Sequence, residues 1–225
     1  MALVLALAGA LRLYDLSTVP TELIADELEF YNSAVSFVTT GHDLDGERHI
    51  FLASHNPGRN PPIYAFSELP FTMLLGPSPV SQRLAAVVYG LLVVVLLFFL
   101  VRQMTQRDDV ALLAALFAAV APIFVHFSRI AWQPACEVPF LLAGLYGLAR
   151  GLGIGETDHG KAPLRRNWLI AGAVLLGLTA YTYMAGWFYA LVLGGALLAL
   201  EALFAPSAQH RRAAILAYGL ALLVA

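Results

Sequence analysis

The chain has 225 residues, of which 60% are hydrophobic and 12% charged, about half the charge of an ordinary soluble domain. The apolar residues fall in long unbroken blocks, which excludes a soluble globular domain and indicates an integral membrane protein. A net charge of −2 gives no basic surface for nucleic acid, and the single cysteine, Cys136, excludes a disulfide within the chain.

In chain order, Met1 leads straight into ALVLALAGAL with no positive leader, so residues 2–11 read as a membrane span and not as a secretory signal. Both ends fall inside apolar runs, which predicts a piece of a longer protein. Arg12 and Asp15 end the first span, and residues 12–82 form a long loop. Within it, residues 26–40 place Leu28, Tyr31, Val35 and Val38 at helical spacing, with Gly41 as the C-cap, so an amphipathic helix is predicted. The polar patch HDLDGERHIFLASHNPGRN follows, with turn formers at Asp45-Gly46 and Asn56-Pro57-Gly58. Residues 61–76 are apolar again but interrupted by Glu68 and Pro70. They are too few to span and are predicted to lie on the membrane surface.

Further spans are predicted at 84–101, 110–127 and 135–149. Residues 168–205, 38 in all, would make one helix of about 57 Å at about 1.5 Å per residue, nearly twice the bilayer core of about 30 Å. A break is therefore expected near residues 181–186, where TYMAG supplies polar groups and a glycine. A seventh span begins at Ala213. The expected architecture is all-α and polytopic, with about seven transmembrane helices and interfacial helices in the first loop. The whole of 1–225 is taken as one membrane domain. With the amino terminus inside, the inner loops hold Arg102, Arg107, Arg150, Lys161, Arg165, Arg166, Arg211 and Arg212, 8 of the 13 Lys and Arg residues, and the 12–82 loop is external.

The unusual chemistry lies on that outer side. Asp26 and Glu27 open the amphipathic helix, where the helix dipole favours a carboxylate. Capping alone would explain them; as a functional pair, one would act as general base and its neighbour would orient an acceptor or a cation. Arg83 and Arg129 stand at the outer ends of spans, against the positive-inside tendency, flanked by Ser81-Gln82 and by His126, Ser128 and Gln133. Snorkelling to the headgroups is the plainer reading. The alternative is that their planar forks bind phosphate. His42, His49 and His55 scatter among Asp43, Asp45 and Glu47 without the spacing of a compact metal site. No metal ligands are assigned, and a divalent cation there is the minority reading. Glu68 and Glu137 are carboxyls in apolar segments and need a partner or water. Trp132, Tyr181, Tyr183 and Trp187 fit interfacial belt aromatics.

Four pieces taken together resemble the N-terminal half of C-type membrane glycosyltransferases of the protein mannosyltransferase and aminoarabinose transferase type. They are ADELEFYNSAVSFVTTGHD, NPPIYAFSELPFTMLLGPSPVSQRLAAVVYGLL, VAPIFVHFSRIAWQP and LTAYTYMAGWFYALVL. The resemblance implies an inverting transferase that moves a sugar from a polyprenyl-phosphate donor to a hydroxyl or lipid phosphate on a glycan, lipid or protein acceptor. It implies a multi-pass plasma-membrane protein of the cell envelope, surrounded by lipid, with an extracytoplasmic active site. It places Asp26 as the catalytic base with Glu27 beside it, and Arg83 and Arg129 on the donor phosphate. Tyr64 of the Pro61-Pro62-x-Tyr64 segment, His55 and Glu137 complete the expected substrate-binding set. Leu28, Glu29 and Phe30 after the acidic pair, and IAWQPACE after Ser128-Arg129, depart from patterns common in relatives. A non-catalytic membrane subunit and a lipid-linked sugar transporter are the rival readings.

Overall fold

The computed structural model describes residues 1–21, 23–42, 44, 62–156, 163–204 and 207–225. Every regular element among the described residues is helical. They are α1 (Ala2–Leu13), α2 (Ala25–Thr40), α3 (Pro62–Leu75), α4 (Pro79–Thr105), α5 (Asp108–Val120), α6 (Pro122–Phe127), α7 (Pro134–Leu152), α8 (Arg166–Leu178), α9 (Gly186–Phe204) and α10 (Ala208–Val224), with a 3₁₀ turn at Thr179–Tyr181. The chain divides into two compact units. The first holds Met1–Val94 and Leu116–Cys136, and the second Val95–Ala115 and Glu137–Ala225.

In the first unit, Pro122 decides the local geometry. A proline has no N–H to offer the carbonyl four residues earlier, and it forces the residue before it out of the helical region. Ala121 accordingly adopts φ −60°, ψ 126°, and the apolar run expected as one span from 110 to 127 becomes two helices, α5 and α6. The break leaves the Ala118 and Ala119 carbonyls at the end of α5 without helical partners. Arg12, at the end of α1 and fully buried, supplies them: Nη2 donates to Ala118 O at 3.0 Å and Nη1 to Ala119 O at 2.9 Å. A cation at the C-terminal end of a helix is also favoured by the dipole. Gly90 of α4 makes room for this arrangement, since a Cβ there would collide with Ser128 Cβ and sit 2.9 Å from Arg12 Nε.

The amphipathic helix predicted at 26–40 is α2, and Gly41 ends it in the left-handed region at φ 71°, its N–H donating to Phe37 O at 3.0 Å. α2 packs on α3 through Phe30 against Tyr64, ring centres 5.1 Å apart, and Phe37 against Phe66 at 5.5 Å. Pro70 does not interrupt α3, which runs as a single helix through it. Its 14 residues reach about 21 Å, short of the hydrocarbon thickness of about 30 Å.

The second unit is built on close backbone approach. On α7, Gly144, Gly147 and Gly151 face Leu176, Gly172 and Leu169 of α8. A Cβ on Gly172 would lie 2.6 Å from the Leu148 backbone nitrogen, so only glycine permits this spacing. The opposite side of α8 meets α10, and Leu148, Leu152, Leu169, Ala173, Leu176, Ala214, Ala217 and Ala221 form the apolar core. The break expected in the 168–205 block falls between α8 and α9. There Thr179 Oγ1 donates to Leu176 O and to Gly186 O, satisfying carbonyls on both sides of the interruption.

Two helices, Pro79–Thr105 and Pro134–Leu152, are long and apolar enough to cross a membrane, where about seven spans were expected. Ala2–Leu13, Ile63–Leu75 and Gly186–Ala196 are apolar but shorter. Prolines and polar turns cut the hydrophobic blocks that read as continuous spans in the sequence. Large apolar side chains such as Leu3, Leu113 and Leu223 point outward from their helices, as they do on lipid-facing surfaces.

Candidate functional site

The first turn of α2 is the polar centre of the first unit. Ile24 is extended, and α2 begins at Ala25, which puts Asp26 and Glu27 in the turn whose N–H groups point outward. Glu27 Oε2 accepts from the Ile24 N–H at 3.2 Å, closing the entry to the helix. Ile24 has no side-chain acceptor to return the bond, so this is half of a capping box. Glu27 Oε1 accepts from Arg83 Nε at 3.0 Å and from the Ala131 N–H at 2.9 Å, while Arg83 Nη2 reaches Oε2 at 3.4 Å. The pair is bidentate, with Glu27 0% and Arg83 1% exposed. Such burial is tolerated because every carboxylate oxygen has donors.

The two arginines then stitch the turn that follows α1. Arg83 Nη1 donates to Leu16 O at 3.1 Å and Pro20 O at 3.0 Å. Arg129 Nη1 donates to Leu11 O at 2.7 Å, and its Nη2 to Asp15 O at 3.4 Å and Val19 O at 3.0 Å. Three segments far apart in sequence therefore meet around residues 11–20, with Asp26 next in the chain to the buried carboxylate. Asp26 itself is half-buried and makes no hydrogen bond among the described residues.

The arginines differ in what they have left. A guanidinium carries five N–H groups. Arg83 makes four bonds and is closed off from solvent; Arg129 makes three and is 8% exposed. Arg83 as observed is a clamp on Glu27, whereas Arg129 keeps donors for another acceptor.

Tyr64 is fully buried, with its hydroxyl 3.4 Å from Gln82 O and its ring between Phe30 and Tyr89. It packs the interior and presents no surface to a ligand. Glu137 belongs to the second unit, buried in the first turn of α7, and its Oε1 has no partner among the described residues. His55 lies outside the described residues, as do His49, Asp43, Asp45 and Glu47. Among the described residues no three His, Cys, Asp or Glu side chains gather in a way that could hold a metal.

Sequence reasoning missed two members of the cluster. Gln82 Nε2 donates to the Glu27 backbone carbonyl at 3.1 Å, fixing the same helical turn from the other side. Glu68, noted only as a costly carboxyl, is 0% exposed with neither oxygen partnered, and Thr72 one turn later also has a buried hydroxyl without a partner. Tyr64, Glu68 and Thr72 recur every fourth residue and so share one stripe of α3. That spacing is the pattern in the sequence from which their common burial was legible.

Helices among the described residues long and apolar enough to cross a bilayer, with a buried ion-paired cluster at the start of α2, define a membrane protein that carries a buried polar centre in its first unit. More narrowly, residues 59–225 match the model of the dolichyl-phosphate-mannose-protein mannosyltransferase family, and the chain belongs to that family. It is thus a membrane-integral glycosyltransferase of mannosyltransferase-like type. Arg83, Arg129 and Glu68 lie within the matched stretch; Asp26 and Glu27 precede it. No curated protein and no solved structure matches the chain.

Proposed function

We propose that the chain transfers a sugar from a polyprenyl-phosphate-linked donor to an acceptor hydroxyl at the outer face of the membrane, with Asp26 as the general base. One observation carries this reading. Asp26 is a partly accessible carboxylate without a partner among the described residues, on the same helical turn as Glu27, whose carboxylate is held by Arg83 and the Ala131 N–H. A base held in place by a rigid frame, with its own oxygens free to accept a proton, is what general-base catalysis requires.

Glu27 sets the position of Asp26 through the first turn of α2, and Arg83 neutralises Glu27 so that it can be buried. The two together make the frame. Arg129 carries the phosphate role, because it retains unused N–H donors; developing negative charge on a phosphate leaving group is stabilised by such a fixed cation away from bulk water. The basic inner loops support the outward placement of this face.

The test is Asp26→Asn in the full-length enzyme, inserted in membranes and supplied with a panel of polyprenyl-phosphate sugars. Transfer falls at least about a hundredfold, the usual scale for a lost general base, with binding of the donor little changed. Wild-type rates in a correctly inserted Asp26→Asn protein would remove Asp26 from the mechanism and favour a non-catalytic subunit.

A further inference from the structure

The two helices long and apolar enough to cross a membrane, α4 and α7, each carry an arginine in the last turn, Arg102 and Arg150. Both arginines line one cavity of about 630 Å³ inside the second unit, within the range of about 300–1,000 Å³ that holds small ligands. Phe99 and Tyr146 line it too, with ring centres 5.9 Å apart. Each ring stands one turn before the arginine of its own helix. The cavity is therefore aromatic towards the middle of the helices and cationic at their ends.

Arg150 is held in place without being neutralised. Its Nη1 donates to Gln103 Oε1 at 3.1 Å. Gln103 is 5% exposed and is fixed in turn, its Nε2 donating to Ile154 O at 2.9 Å. The Arg150 guanidinium also lies over the Trp168 ring, 5.7 Å from its centre. Of the five N–H groups of a guanidinium, Arg150 uses one among the described residues. Arg102 donates through Nε to Asp108 Oδ1, and both side chains are more than half exposed. An exposed pair of this kind contributes little, and the Nη groups of Arg102 have no partner among the described residues. The other charges nearby are already matched, Arg107 by Asp109 and Arg165 by Glu156. Two guanidinium groups and the Asp108 carboxylate leave the cavity one net positive charge.

We propose that this cavity binds the phosphate of an anionic membrane lipid between Arg102 and Arg150, with the start of its acyl chains along Phe99 and Tyr146. The planar forks of the two arginines suit phosphate oxygens. The positive-inside tendency assigns this end of α4 and α7 to the inner leaflet, where anionic headgroups are found and basic pockets between spans take them up. A free phosphate would engage the arginines and leave the rings unused, whereas a lipid uses both. The site lies in the second unit and does not depend on Asp26 as the base.

The test titrates phosphatidylglycerol, phosphatidylcholine and inorganic phosphate into delipidated full-length protein in neutral detergent, with bound lipid counted by native mass spectrometry and phosphate followed by calorimetry. Phosphatidylglycerol binds more tightly than phosphatidylcholine, and its affinity falls with added salt. Arg102→Gln and Arg150→Gln each weaken it about fivefold, the scale of one basic residue at an anionic lipid surface. Asp108→Asn shifts the affinity by a similar factor in the opposite direction, because it releases Arg102 and removes the carboxylate from the cavity. A purely structural Arg102–Asp108 pair would not tighten binding when broken. Arg212→Gln, a basic residue outside the cavity, leaves the affinity unchanged. Equal binding of phosphatidylcholine, an Arg212→Gln loss as large as that of Arg102→Gln, or no tightening in Asp108→Asn overturns the proposal. Inorganic phosphate binding as tightly as phosphatidylglycerol overturns the lipid assignment in favour of a free anion. Arg102 and Asp108 are exposed side chains, so these outcomes decide the matter even if Arg150→Gln fails to insert.

Discussion

The two units solve the problem of a buried interior in opposite ways. In the first, Arg12, Arg83 and Arg129 are buried and spend their donors on backbone carbonyls and one carboxylate. In the second, α7 and α8 touch backbone to backbone through Gly147 and Gly172, and the core is leucine and alanine. Directional bonds hold irregular chain, the turn after α1 and the break at Pro122, because such chain exposes carbonyls that packing alone cannot satisfy. Close packing holds regular helices, whose backbone groups are already paired.

This contrast can be broken most severely at the ion pair. Arg83→Met leaves Glu27 buried and charged with its main partner gone, an expected loss of about 3–5 kcal/mol. It is read as a fall in apparent Tm in detergent, and the Arg83→Met/Glu27→Gln double variant recovers part of the loss. If Arg83→Met melts like the wild type, the first unit is not held by its polar bonds. Next is Gly172→Val in the second unit. Its Cβ would lie 2.6 Å from a backbone nitrogen that cannot rotate away, so α7 and α8 must separate at an expected cost of about 1–3 kcal/mol. The smallest effect sharpens the comparison by isolating conformation from packing. Gly41→Ala meets nothing within 4 Å, so only the left-handed backbone resists it, at about 1 kcal/mol. A loss well beyond that in thermal unfolding would show that the α2 cap carries tertiary contacts.

Periodicity and punctuation in the sequence went far. The spacing of Leu28, Tyr31, Val35 and Val38 predicted α2, Gly41 predicted its end, and excess length predicted the break before Gly186; each is a local property that the structure repeats. The apolar run 110–127 holds two helices where one span was expected, because hydropathy averages over Pro122 while a missing N–H acts at a single residue. Of the about seven spans expected, two helices among the described residues are long and apolar enough to cross a membrane.

The residue types and local order of this chain determined that it is helical and apolar, and that acids open a helix after the first apolar segment. Only the tertiary structure decided which acid is buried and which is free. Asp26 and Glu27 are neighbours with nearly the same chemistry; a helix turns about 100° per residue, so one side chain meets Arg83 and the Ala131 N–H while the other has no partner among the described residues. Likewise no local pattern ties Gln82 to the Glu27 carbonyl or Arg12 to Ala118. Those pairings come from segments brought together by packing, where burial makes each unpaired polar atom costly and so selects its partner.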